Sequence, residues 1–175
     1  MVDFEALDEL DATEFAPLDT AFCALGTTRK KAGSAAAFER VDRDYVLAFA
    51  RLARRAQAKS FVLISSVGAD PNAWSHYLKV KGEVEQELAS MGFAHLIVLR
   101  PSVLVGARAE ARLGEALATA VLRVGSPLLR GPLRRYRISP AEQVAQAAIL
   151  AARAQRPGVW SLEADELAAL AAGTN

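Results

Sequence analysis

The residues of this chain with the clearest chemical potential are Tyr77 and Lys81, in the run Tyr77-Leu78-Lys79-Val80-Lys81, with the serine pair Ser65-Ser66 upstream. A tyrosine and a lysine four positions apart share one face of a helix, one turn from each other. An ammonium beside a phenol favours the phenolate, which makes a tyrosine a better proton donor and acceptor near neutral pH. A serine hydroxyl ending a neighbouring strand can hold a carbonyl or alcohol oxygen against that phenol. These are parts of a carbonyl–alcohol redox site, and such a site needs a nicotinamide cofactor. Strand alternation turns only one serine toward the site. The pattern leaves the choice open and leans to Ser65, with Ser66 as a strand-end hydrogen-bonding partner. The competing account of Tyr77 is a core aromatic on an amphipathic helix.

Such residues need rigid elements to hold them. Short apolar strands are predicted at 20–25 (ending at Gly26), 60–65, 95–99 (closed by Arg100-Pro101) and 158–162. The run Ser-Phe-Val-Leu-Ile-Ser at 60–65 is nearly continuous in apolar residues, as in strands buried on both faces of a parallel sheet. Helices are predicted over 36–58, 74–91 (stopped by Gly92), 112–124 and 164–172. In the first, the stripe Phe38, Val41, Tyr45, Phe49, Leu52 and Ala56 keeps three- and four-residue steps. Ser139-Pro140-Ala141-Glu142 has the form of a capping box opening a further helix, with serine at the N-cap. Loops are expected at 68–72 and 125–137. Alternating strands and helices predict an α/β fold, a Rossmann-like doubly wound parallel sheet with helices on both faces. Ligands of such sheets bind beyond the carboxyl ends of the strands. Gly26, Ser65, Ser66 and Pro101 all fall at such ends. A single domain over 1–172 follows, with a loose tail at 173–175.

Composition narrows the function classes. With 175 residues, 52% of them hydrophobic, the chain can bury one core and not two. Its 21 basic and 20 acidic residues leave a net charge of +1, which argues against a general nucleic-acid surface or a polybasic membrane patch. No apolar run is long enough to span a membrane, and the acidic start Asp3-Phe4-Glu5 is no signal pattern, so a cytoplasmic protein is expected. The one cysteine, Cys23, sits in an apolar run and reads as a small core residue. Lys79 lies on another helical face from Tyr77 and reads as a solvated charge. His76 reads as a surface or packing residue, and Arg100 as an anchor for the loop before Pro101. Arg130, Arg134, Arg135 and Arg137 read as a solvated basic loop. Asp42 and Asp44, with Arg40 and Arg43, read as the exposed face of a helix. No cluster has metal-ligand spacing.

Taken jointly, the motifs resemble a family. Tyr77-x-x-x-Lys81 with its upstream serine, Cys23-Ala24-Leu25-Gly26-Thr27-Thr28, Leu99-Arg100-Pro101-Ser102-Val103 and the segment around Ser139 to Gln143 are similar to motifs of the short-chain dehydrogenase/reductases, in their extended or atypical form. Within that group the chain most resembles the Tat-interacting-protein oxidoreductases, through Phe22 to Gly33, Arg40 to Val46, Ser65 to Asp70 and Val80 to Glu85. The resemblance implies an NADP(H)- or NAD(H)-dependent oxidoreductase acting on a small carbonyl or alcohol. It gives catalytic roles to Ser65 or Ser66, Tyr77 and Lys81. It sets Leu25, Gly26, Thr27 and Thr28 against the adenosine half of the cofactor. Arg100, Pro101, Ser102 and Val103 would lie along the nicotinamide, and Asp3 and Phe4 would end a strand facing the adenine. The family's aspartate stands as Gln143 here.

The family also opens with a Gly-x-x-Gly-x-x-Gly turn that brings backbone close to the cofactor pyrophosphate. No such spacing occurs in this sequence, so the first βαβ unit is expected to be missing. A sheet so shortened would leave an exposed apolar edge, and poor solubility or dimerisation across it is expected. Two other functions compete: a non-catalytic interaction protein built on the same fold, and, ranked last, a nucleotide-sugar epimerase or dehydratase.

Overall fold

The structure is a computed structural model and describes residues 3–102, 104–105 and 137–173. Four parallel strands form its centre. These are β1 (Thr20–Cys23), β2 (Ser60–Ile64), β3 (His95–Arg100) and, late in the chain, Gly158–Glu163. They lie side by side in that order, with Thr20 opposite Ser60, Ser60 opposite His95 and His95 opposite Gly158. A separate two-residue parallel pair joins β4 (Leu104–Val105) to β5 (Ser139–Pro140), which makes Gly158–Glu163 β6.

The two central strands, β2 and β3, are buried on both faces, as their composition predicts, while β1 and Gly158–Glu163 each leave residues exposed. On one face Phe61, Leu63, Leu96 and Val98 pack with Ala21 and Cys23 against Val46, Leu47, Ala50, Val84 and Leu88. Those last residues lie on α3 (Tyr45–Arg55) and α4 (His76–Ser90), which follow the short helices α1 (Arg29–Ala32) and α2 (Ala35–Glu39). On the other face Val62, Ile97, Leu99 and Leu162 pack against α5 (Ala141–Ala154) and Leu167 of α6 (Ala164–Ala171). The predicted Rossmann-like sheet with helices on both faces is therefore present. No helix of the described residues is long and apolar enough to cross a membrane.

The sequence reading needs three corrections. The predicted helix over 36–58 is helical over most of that range, but Arg40–Asp44 between α2 and α3 is a π-helical turn. The extra residue in that turn rotates the buried stripe. Phe38, Asp42, Val46 and Ala50 face inward at four-residue steps, while Val41, Tyr45 and Phe49 are only half-buried. Asp42, expected on an exposed face, is therefore buried. Second, Ser139 does not cap α5. Pro140 is the N-cap residue, and the buried Ser139 hydroxyl instead accepts a hydrogen bond from the Ser102 backbone N–H at 3.2 Å. A reciprocal capping box occurs at Glu163 and Glu166, where α6 begins. Third, Asp3 and Phe4 belong to no strand: Phe4–Ala6 is a single 3-10 turn with Asp3 as its N-cap. The predicted helix at 112–124, most of the loop at 125–137 and Val103 lie outside the described residues.

Candidate active site

Helix α4 begins after Ser75 and ends where Gly92, at φ +73°, turns the chain left-handed. It carries Tyr77 and Lys81 one turn apart. The lysine runs inward, and its ammonium Nζ lies 2.8 Å from Oδ1 of Asp42, with the two side chains 5% and 1% exposed. The contact is a buried ion pair. The other oxygen, Oδ2, accepts the Thr27 backbone N–H at 2.7 Å. Gly26 closes the joint from β1's carboxyl end, where a Cβ would sit 3.2 Å from Asp42 Oδ1 and 3.6 Å from Lys81 Nζ.

Tyr77 faces outward. Its ring lies 5.8 Å from that of Phe38, and its hydroxyl makes no hydrogen bond to the described residues. With Phe38, Ser75, His76, Thr28 and Arg29 it lines a cleft of about 360 Å³. His76 is packed as expected: Nε2 contacts Glu39 Oε1 at 2.8 Å and its ring lies against Phe38. The cleft joins Tyr77 to the loop after β1, two segments that the motifs place in one site.

The two serines have different surroundings. Ser65 is buried and its hydroxyl donates to Glu85 Oε1. Glu85 also grips Arg100, whose Nε reaches Oε1 and Oε2 at 3.2 and 3.1 Å, with Nη2 on Oε2 as well. Donating hydrogen bonds to the Glu85 carboxylate raises the Arg100 guanidinium above its usual range, against the opposing effect of burial. Arg100 is thus the anchor expected of it. Ser66 is half-buried, and its hydroxyl has only a long 3.4 Å contact to the Val67 carbonyl. Both serines sit at the carboxyl end of β2, where Ser65 N–H bonds Leu99 O and Val67 N–H bonds Pro101 O.

The remaining residues of interest divide. Leu25 packs on the core, Gly26 and Thr27 adjoin the buried ion pair, and Thr28 caps α1 by accepting from Lys31 N–H at 3.2 Å. Pro101 is buried and Ser102 is tied to Ser139. Asp3 accepts from Glu5 N–H, and Phe4 stacks on Tyr45 at 5.6 Å, so both serve the start of α3 and neither lines the cleft. Burial pushes the Cys23 thiol up, which keeps it protonated at neutral pH, as suits a core residue. Two residues were missed by the sequence reading. Asp42 stands four residues from both Phe38 and Val46, and Glu85 one turn after Lys81, but neither spacing by itself separates a buried acid from an exposed one.

A model of the HIM1 family matches residues 3–126. The chain belongs to the HIM1 family. Protein HTATIP2 of Rattus norvegicus is 53% identical over 118 residues, covering 67% of this chain and 48% of that protein. Protein FMP52, mitochondrial, of Coccidioides immitis is 36% identical over 137 residues, covering 78% and 56%. The FMP52-1 protein of Scheffersomyces stipitis is 34% identical over 178 residues, covering 96% and 75%. This HIM1 chain spans about half the length of the first two relatives. The resemblance to the Tat-interacting-protein group is borne out. The cytoplasmic expectation is overturned, because several FMP52 relatives are mitochondrial by name. Among solved structures, a UDP-N-acetylglucosamine 4-epimerase of Methanobrevibacter ruminantium superposes with a TM-score of 0.62 at 18% identity, covering 90% of this chain and 59% of that one. RMD of Pseudomonas aeruginosa, solved with NADPH, gives 0.62 at 15% identity, covering 93% and 66%. At such identities the likeness is one of fold, the Rossmann-like parallel sheet.

Proposed function

We propose that this HIM1 chain carries the nicotinamide end of an NAD(P)H-dependent oxidoreductase site for a small carbonyl or alcohol substrate. The observation that supports this best is the buried ammonium of Lys81, one turn from Tyr77 at the carboxyl ends of the strands. Taking an ammonium out of water costs several kcal/mol before compensation, so a fold that does so puts the charge to a specific use. The residues fit the ribose–nicotinamide half of such a cofactor. Lys81's ammonium has three N–H groups, of which the contact with Asp42 Oδ1 takes at most one, and the others are suited to a ribose diol. Gly26, without a Cβ, leaves the ammonium and the carboxylate room to meet at the end of β1. The solved NADPH complex of RMD adds support at the level of fold.

The bound cofactor supplies hydride to the carbonyl carbon. Tyr77 donates its hydroxyl proton to the carbonyl oxygen, and takes it back in the alcohol direction. Lys81 holds the ribose and so orients the nicotinamide. Ser66, whose hydroxyl has only a long contact to a backbone carbonyl, hydrogen-bonds the same oxygen as charge develops there. Ser65 is committed to Glu85 and supports the β2 end from behind. Phe38 and His76 shape the cleft wall.

Titration with NADPH, followed by reduction of a panel of aldehydes and ketones, tests the reading. Micromolar binding is expected, with the Tyr77→Phe chain about a hundredfold slower or worse. No binding at millimolar NADPH, or full rate without the Tyr77 hydroxyl, overturns it. A second reading, a non-catalytic interaction module, is favoured by Phe22, which is 48% exposed on edge strand β1, and it is the one left standing if NADPH does not bind.

A further inference from the structure

The joint between Lys81 and Asp42 uses three elements that the Tyr–Lys motif does not contain. A π-helical turn at Arg40–Asp44 brings the carboxylate inward, α4 supplies the ammonium, and the loop after β1 supplies the Thr27 N–H. π-Helical turns inside helices recur at functional sites, because the extra residue re-aims one side chain at the expense of a backbone hydrogen bond. A carboxylate 1% exposed is tolerated only when its charge is matched, and among the described residues the cation in contact with it is Lys81. At 2.8 Å the carboxylate fixes where the ammonium sits, and a single oxygen can take only one of its three N–H groups.

We propose that Asp42 is the positioning residue of Lys81, holding its ammonium inside the fold, at the end of β1, by charge. The proposal rests on the reading of Tyr77 and Lys81 as a site, but Asp42's hold on the ammonium can be tested without a cofactor. The full-length chain is treated with acetic anhydride, and acetylation of Lys81 is compared by mass spectrometry with that of Lys79, an exposed neighbour on the same helix. Asp42→Asn keeps an acceptor for Thr27 and removes the charge. The unmatched ammonium then turns out to solvent, and the Lys81 to Lys79 ratio rises about tenfold. An unchanged ratio in a folded Asp42→Asn chain overturns the proposal. If that variant does not fold, adding Lys81→Met removes the second charge and is expected to recover the melt. Failure to recover also overturns it.

NADPH affinity gives the second arm. Asp42→Asn and Lys81→Met each weaken binding by about tenfold, and the double variant is no weaker than Lys81→Met alone, because Asp42 acts through the lysine. Additive losses overturn the positioning role. A wild-type chain that binds no NADPH defeats the proposed function, while the acetylation ratio still decides whether Asp42 holds Lys81.

Discussion

At the scale of single residues, Gly82 shows how close packing sets the geometry around the site. It lies on α4 directly after Lys81, and a Cβ there would fall 2.3 Å from the carbonyl carbon of Asp70 and 2.3 Å from the nitrogen of Pro71. The loop that crosses α4 is also pinned by Asp70 N–H on Leu78 O at 3.2 Å. On helix propensity alone, alanine would improve this position by about 1 kcal/mol. The clash is with backbone, so the sign reverses: Gly82→Ala is expected to cost about 2 kcal/mol or more, as overpacked sites do. Chemical denaturation measures it, and a neutral or stabilising result refutes the close approach. Tyr77 and Lys81 were legible because their spacing carries chemistry. Asp42 and Glu85 were not, because one acid in a run of charged residues looks the same on a wet face as on a dry one. Only the partners, Lys81 and Arg100, tell them apart.

At the scale of elements, the strands and the ends of α4 were legible because burial on both faces and a stop glycine leave direct marks in composition. The π turn was not, since the predicted stripe (Phe38, Val41, Tyr45, Phe49) and the observed one (Phe38, Asp42, Val46, Ala50) start at the same residue and then differ by a single position. The segment before β1 was also unread. It is clamped to α3: Leu7 is buried against Ala48 and Leu52, Arg51 grips Asp8 at 2.6 Å, and Arg55 bonds the carbonyls of Leu7, Asp8 and Leu10. The Arg51 hydrogen bonds hold the Asp8 carboxyl below its ordinary range. A carboxyl lowered on folding adds stability that is present above its unfolded value, about 4, and is lost as pH falls through the folded value. Wild type is therefore expected to lose melting temperature between about pH 5 and pH 3 more steeply than Asp8→Asn, the two converging at the acid end. Parallel profiles would show that the clamp holds through apolar contact alone. Asp8 is half-exposed, so the difference is small.

At the scale of the whole molecule, the doubly wound sheet was legible from alternation alone, but its coverage is uneven in a way that alternation does not reveal. Helices α5 and α6 cover β2, β3 and β6, and β1 receives none of that cover. Ala21 and Cys23 point into the α3 and α4 layer, while Phe22, between them, points the other way and is 48% exposed. Beyond β1 no described strand follows, so an apolar ring stands beside a row of backbone groups with pairing capacity. Burying a phenylalanine gains about 1.5–3 kcal/mol, enough to shift an association constant by tenfold or more. A second copy meeting edge to edge would gain that twice, together with strand hydrogen bonds. Light scattering behind size exclusion is therefore expected to show a concentration-dependent dimer. Phe22→Lys, the charge that natural edge strands use against pairing, should return the chain to monomer without touching Ala21 or Cys23. A wild-type chain that stays monomeric at high concentration and melts cooperatively refutes edge pairing, and would mean that β1 is stable with one neighbour and a bare aromatic.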